Sequence, residues 1–329
     1  MKERASNIEL LRIIAMTFIV IWHISIHAQK GEAATHGYVA AITISGVNLF
    51  LLITGYFGLK PRWQSYLNII AMVIFYSILS IALNYYILGN TPSKGEIFYG
   101  INPFGITTYW FINCYIILML LAPALNIIKG KTTDKQYLYI IGILIYLSCI
   151  IGLLFRNDIN RNGYCVMQFI TMYYIGDAIR RYNIINRIKR SYFILAYAIA
   201  TLILYVGGKL NIQGTYAYNN PVLMLAAISL FCIIANLHFS NNNINKFAKY
   251  MFPVYLLQEG FFGRQIYNVL YHTKTEEGFY APKYLLTIFL YIIVLFVGAI
   301  VIENMRRWIM STSIKKLSIF LDKKFNIFP

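Results

Sequence analysis

Arg12 and His23 are the two side chains whose types and spacing most invite chemistry. Both lie in the apolar run 7–28, NIELLRIIAMTFIVIWHISIHA, where a charged or polar group is costly and marks a candidate site. On an α-helix, eleven residues return a side chain to within about 20° of its starting direction, about 16 Å along the axis. A guanidinium near one end and an imidazole deeper in a ~30 Å bilayer core therefore share one helix face. A neutral imidazole exchanges protons near neutral pH, so beside a hydroxyl it is a natural general base. A guanidinium stays charged and forks towards phosphate or carbonyl oxygens. Glu9 precedes Arg12 by three residues, which permits a salt bridge, so Arg12 also has a purely structural reading. His23 and His27 are four apart, the spacing of two ligands to one metal. No third ligand and no HExxH motif accompanies them, so no metal site is expected. His27 is expected at the outer mouth, where it can orient an acceptor.

Other polar groups interrupt apolar runs. Asn48 in SGVNLFLLITGYF (45–57) needs a hydrogen-bond partner in the membrane. Gly46 and Gly55 of the same run allow close helix approach, and Tyr56 suits an interface, with Arg62 shortly after. TTYWFINCYIILMLLAPALN (107–126) puts Trp110 in an outer interfacial belt and Asn113 on the same side. Pro123 is expected to kink or end that helix. FAKYMFPVYLLQEG (247–260) carries Gln258 and Glu259, which must face protein or water.

The elements that must position these groups follow from composition. The 329 residues are 59% hydrophobic and only 12% charged, about half the charge of an ordinary soluble domain. The expected fold is an all-α, polytopic integral membrane helix bundle. Ten spans can be drawn: 8–28, 39–58, 66–88, 109–128, 136–155, 164–180, 191–207, 221–238, 249–267 and 283–303. The ninth is the least regular, because Gln258, Glu259 and Arg264 interrupt it. Of the 29 Lys and Arg residues, 21 fall on one side of this layout, which places both termini in the cytoplasm. The net charge of +17 is thereby read as topology and attraction to anionic lipid rather than nucleic-acid binding. Residues 1–303 form one transmembrane domain, and 304–329 form a basic amphipathic cytoplasmic tail. The outer connections, near 29–38, 89–108, 207–220 and 268–282, are rich in Gly, Asn and Thr. Four scattered Cys without a CxxC pair are read as packing thiols. The N-terminal run lacks a small-residue cleavage signature and is read as a retained helix.

Together these stretches resemble the membrane acyltransferase-3 family, which includes bacterial O-acetyltransferases of cell-surface polysaccharides. The resemblance runs from the first helix to about residue 303. It rests on ELLRIIAMTFIVIWH with Arg12 and His23, GVNLFLLITGYF followed by Arg62, YWFINCYIILMLLAPALN, and FPVYLL. It implies a multi-pass protein of the bacterial plasma membrane. The implied reaction passes an acyl group, usually acetyl, from cytoplasmic acetyl-CoA to a hydroxyl of a surface or capsular polysaccharide or its lipid-linked precursor. Arg12 and His23 are then the essential pair, with Arg12 and Arg62 near the CoA phosphates. Glu9, His27, Asn48, Tyr56, Trp110, Asn113, Gln258 and Glu259 are substrate or structural candidates. Two departures stand out: Asn48 replaces a common Asp, and Gln258 replaces a frequent His. The fused extracytoplasmic hydrolase-like domain of larger relatives has no counterpart here, so the chain is expected to act alone or with a separate partner. The competing readings are a glycan transporter or flippase, or an export component, without transferase chemistry and, more remotely, a glycan polymerase, which would want a larger outer loop.

Overall fold

The computed structural model describes residues 5–28, 37–60, 62–102, 109–155, 162–277 and 282–325. Parts of three expected outer connections (29–36, 103–108 and 278–281) lie outside the described residues, as do Lys2, Arg4, Lys30, Arg156 and Arg161 of the charge count. The described residues form helices and turns with no strand. Helix α1 is Ser6–His23, continued by a π-helical turn Ile24–Ala28. Then follow α2 Tyr38–Thr43, α3 Gly46–Phe57, α4 Trp63–Leu88, α5 Lys94–Ile101 and α6 Trp110–Lys131. Helix α7, Asp134–Ile145, runs on as a π-helical stretch Tyr146–Leu154. The chain continues with α8 Val166–Arg181, α9 Ile184–Arg187, α10 Arg190–Lys209, α11 Pro221–Ala235 and α12 Asn242–Phe247. It closes with α13 Met251–Glu259, α14 Phe261–Glu277 and α15 Pro282–Phe325.

Among the described residues, seven stretches are long and apolar enough to cross a membrane: Ser6–Ala28, Tyr38–Phe57, Trp63–Leu88, Trp110–Lys131, Asp134–Leu154, Arg190–Lys209 and Pro282–Phe325. They coincide with seven of the ten expected spans. The other three differ for visible reasons. Helices α8 and α11 have 16 and 15 residues, roughly 22–24 Å of helix. The ninth expected span is broken at Gly260, whose backbone is extended (φ −66°, ψ 166°) between α13 and α14. A Cβ there would lie 2.5 Å from Ser80 Oγ and 3.0 Å from Tyr109 Oη, so only glycine lets α4 and the break meet. Ser80 Oγ accepts from the Phe262 N–H at 2.8 Å and so caps the start of α14. Ser80→Ala should therefore lower stability by about 1 kcal/mol, read as a lower unfolding midpoint in detergent. Pro123 does not end α6, which continues for eight further residues to Lys131.

The chain divides into two compact units. The first comprises Met1–Ile26, Lys30–Leu59 and Ile117–Lys249. Its centre is α3, which packs against α1, α8 and α11. The glycines read from the sequence permit this: a Cβ at Gly46 would sit 2.7 Å from the Ala15 carbonyl of α1, and one at Gly55 would overlap the Tyr173 carbonyl of α8. Gly176 of α8 returns the approach, its missing Cβ making room for the Leu52 carbonyl. Towards the end of α8, Asp177 is buried between Lys129 (Nζ 3.3 Å), Arg180 (2.7 Å) and the Tyr137 hydroxyl (2.8 Å).

The second unit comprises His27–Gln29, Lys60–Ile116 and Tyr250–Pro329. Here α4 packs against α5, α13, α14 and α15. Helix α15 has 44 residues, about 66 Å of helix, and runs unbroken from the last expected span into the residues expected to form the tail. Leu286, Phe289, Val294 and Val301 are exposed along its first half, as lipid-facing residues would be. Glu303 is fully buried and receives Arg306 through two 2.8 Å hydrogen bonds and Arg307 at 2.7 Å. Arg306 and Lys129, counted in the sequence only as topological charges, are thus buried ion-pair members.

Candidate functional site

Helix α1 is continuous from Ser6 to His23, so the eleven-residue geometry between Arg12 and His23 applies to it. Ala15, Met16, Ile19, Val20 and His23 are buried along the helix. Position 5 supplies no capping side chain, and Asn7 instead anchors the N-terminal turn by donating to the carbonyls of Ala235 (2.8 Å) and Leu237 (2.7 Å). Arg12 meets Glu9 as its spacing predicts, with Nη1 3.4 Å from each carboxylate oxygen. The pair is asymmetric: Glu9 is buried, while 34% of the Arg12 side chain is exposed. A part-exposed arginine can meet a second anion. His23 is 8% exposed and is the last α-helical residue before the π-helical turn. Such turns recur at functional positions in helices.

Asn48 finds the partner that its place in an apolar run demands. It is fully buried, and its Nδ2 donates to the Tyr218 carbonyl at 2.9 Å. Gln168 Nε2 donates to the same carbonyl at 2.8 Å and to Asn48 Oδ1 at 3.3 Å. Gln168 Oε1 accepts from Ser148 Oγ at 2.7 Å, and Asn219 Nδ2 donates to the Ser148 carbonyl at 2.9 Å. This network joins α3, α8, the π-helical stretch after α7, and the end of the 210–220 connection. Gln168, Ser148 and Asn219 were not legible as partners of Asn48, because they lie 120, 100 and 171 positions away in sequence by simple subtraction of residue numbers. Tyr56, at the end of α3, packs on Phe231 with ring centroids 5.3 Å apart.

The connection between α10 and α11 is closely built. Asn211 takes a positive φ of 53° and Gly214 one of 83°, turning the chain twice. Thr215 Oγ1 donates to the Ile212 carbonyl at 2.6 Å. Asn220 Nδ2 donates to the Gly214 and Thr215 carbonyls at 3.1 Å, while its Oδ1 accepts from the Val222 N–H to cap α11. Together with Trp22 of α1, this connection lines a cavity of about 360 Å³. The Trp22 and Tyr216 ring centroids are 5.6 Å apart, tilted by 58°. Burial pushes the Tyr216 phenol up to about 12, so it remains protonated at neutral pH. The sequence marked this stretch only as an outer loop.

The remaining candidates lie in the second unit. Gln258 is fully buried and accepts from the Tyr267 hydroxyl at 3.4 Å. The Tyr267 ring also stacks on His27, with centroids 5.2 Å apart and planes at 28°. One tyrosine thus brings His27 and Gln258 together. Glu259 is buried and takes Arg264 Nη2 at 3.0 Å, so the charges that interrupted the ninth expected span neutralise one another. Trp110 begins α6, Asn113 follows one turn on, and both are partly exposed. Arg62 is exposed immediately before α4. His23 and His27, four apart in sequence, fall in different units. Among the described residues, no group of three or more His, Cys, Asp or Glu side chains is placed to hold a metal ion.

A family model described as an acyltransferase domain, of the acyltransferase-3 type, matches residues 6–318. Neither the curated proteins nor the solved structures give a match to the chain.

Proposed function

The chain belongs to the acyltransferase-3 family, with its match covering nearly the whole sequence, and from that premise we propose that this membrane acyltransferase moves acetyl from cytoplasmic acetyl-CoA to a glycan hydroxyl. The acceptor is a surface polysaccharide or its lipid-linked precursor at the bacterial plasma membrane. The observation that carries the reading is the unbroken α1, which bears a part-exposed Arg12 and a buried His23 eleven residues apart. In this reading Arg12 meets the phosphates or carbonyl of the donor, and Glu9 fixes its position from behind.

In direct transfer His23 accepts the proton of the acceptor hydroxyl while its oxygen attacks the thioester carbonyl. A C–O bond forms, the C–S bond breaks, and the proton passes on to the departing thiolate to give free CoA. In the two-step variant the imidazole attacks the thioester first, an N–C bond forming as the C–S bond breaks and CoA leaves as its thiol with the imidazole proton; the hydroxyl then takes the acetyl group, the N–C bond breaking as the hydroxyl proton passes to the imidazole. Inverted membrane vesicles given acetyl-labelled acetyl-CoA and de-O-acetylated surface polysaccharide should yield labelled, alkali-labile polysaccharide. Glycan movement without label transfer would replace the transferase reading with a transporter. For Arg12→Gln, a rise of roughly tenfold or more in the KM for acetyl-CoA is expected. An unchanged KM would leave Arg12 as no more than the partner of Glu9.

A further inference from the structure

The cavity beside Trp22 opens to solvent, since Asn162, Asn211 and Gln213 of its lining are exposed, and its amides are used differently from those of the polar interior. Asn219 and Asn220 are spent on folding the connection, through their bonds to Ser148, Gly214 and Thr215. Asn162, Asn211 and Gln213 also line the cavity, yet their side chains make no hydrogen bond among the described residues. Each offers one carbonyl acceptor and two N–H donors. Two aromatic rings, Trp22 and Tyr216, stand beside them. Among the described residues, the lining contains no charged side chain.

These features select a class of ligand. A CoA phosphate or other anion would want arginine, lysine or a helix N-terminus, and none is among the described lining residues. A lipid chain would want a lining without unspent amides. A pyranose presents hydroxyls that both donate and accept, along with C–H faces that pack against aromatic rings. The volume of about 360 Å³ lies at the small end of small-molecule sites, enough for a single sugar ring. The walls are already in place, since Thr215, Asn220 and the Asn48–Gln168 network fix the backbone that carries the amides.

We propose that this cavity binds one neutral sugar residue of the acceptor glycan; the word acceptor rests on the acyl-transfer reading above. Trp22 lines the cavity and its neighbour His23 does not. The bound sugar is therefore not the one acylated. It anchors the glycan so that the hydroxyl of another residue is offered to the reacting groups. Asn211, Gln213 and Trp22 are positioning residues, whose removal acts on glycan affinity more than on chemistry.

The test uses the full chain in lipid nanodiscs and surface polysaccharide from the producing cells, stripped of O-acetyl groups by mild alkali. Saturation-transfer NMR measures binding, and acetyl-labelled acetyl-CoA measures turnover. For Gln213→Ala, an exposed position, and for Trp22→Leu, glycan affinity should fall about tenfold. The KM for glycan should rise to match, while kcat and the KM for acetyl-CoA stay within a factor of two or so. Absence of glycan binding to the wild-type protein, or an unchanged affinity in Gln213→Ala, overturns the proposal. So does a loss confined to kcat. If the wild-type protein binds glycan through these residues but transfers no acetyl label, the subsite stands and the transferase reading falls. Label transfer with unaltered glycan KM in both variants gives the reverse.

Discussion

His23→Ala is expected to reduce acetyl transfer by about two to four orders of magnitude, the usual contribution of a positioned general acid or base. The protein should remain folded. His23 is buried at the end of α1, but the packing around that helix comes from Leu11, Ala15, Ile19 and Val20 and from the glycine contacts with α3. Truncation to Ala leaves all of these in place. The unfolding midpoint in detergent should therefore move little compared with the rate. His23→Gln keeps hydrogen-bonding capacity and similar volume but cannot carry a proton, so it should be as inactive as Ala. Added imidazole should restore part of the activity to His23→Ala and none to His23→Gln, whose side chain still fills the space. Transfer at the wild-type rate by His23→Ala would remove the imidazole from the mechanism. Direct and two-step transfer separate in the same experiment. Incubating the wild-type protein with labelled acetyl-CoA and no acceptor traps hydroxylamine-sensitive label on the protein only if the imidazole carries the acetyl group.

The helical architecture was legible because apolar length and helical periodicity are local signals. The seven stretches that cross by length alone were all drawn from sequence, and the Glu9–Arg12 pair followed from a three-residue spacing. The glycine approaches of α3 were legible for the same reason, since a missing Cβ announces itself in the sequence. What was not legible depends on partners distant in the chain. The break at Gly260 requires Ser80 to cap α14, and nothing near residue 260 announces residue 80. Arg306 looked like one more inner-leaflet cation. Its pairing with Glu303 follows the same three-residue spacing as Glu9 and Arg12, but the contact with Asn68 of α4 comes from 238 positions away, and the burial of the pair was not legible. The cavity beside Trp22 was hidden for a further reason. Its amides are unremarkable loop residues until the fold shows which of their neighbours are already hydrogen-bonded.

Asn48→Asp should be the most damaging single-atom change in the first unit. The resemblance implies an aspartate at this position, yet the surroundings here call for an amide. Asn48 donates to the Tyr218 carbonyl and accepts from Gln168 through the other end of the same group. A carboxylate can do only the second. Its remaining oxygen would face a carbonyl oxygen across 2.9 Å, in a fully buried position whose described partners, Gln168 and Tyr218, supply no cation. Burying an uncompensated charge costs about 3–5 kcal/mol, against about 1–3 kcal/mol for leaving a single buried neutral group without its partner. Ser148→Ala supplies the smaller comparison, because it removes only the hydroxyl that Gln168 Oε1 accepts from. Unfolding in detergent should thus show a much larger loss for Asn48→Asp than for Ser148→Ala. The effect should also reach the cavity, since Tyr218 and Asn219 hold the end of the connection that carries Asn211 and Gln213. Molecules of Asn48→Asp that remain folded should show weaker glycan binding, although the substituted side chain does not line the cavity. Equal stability of Asn48→Asp and wild type would mean that the carboxylate finds a donor or cation in place of the Tyr218 carbonyl, and the amide-specific role of Asn48 would fall.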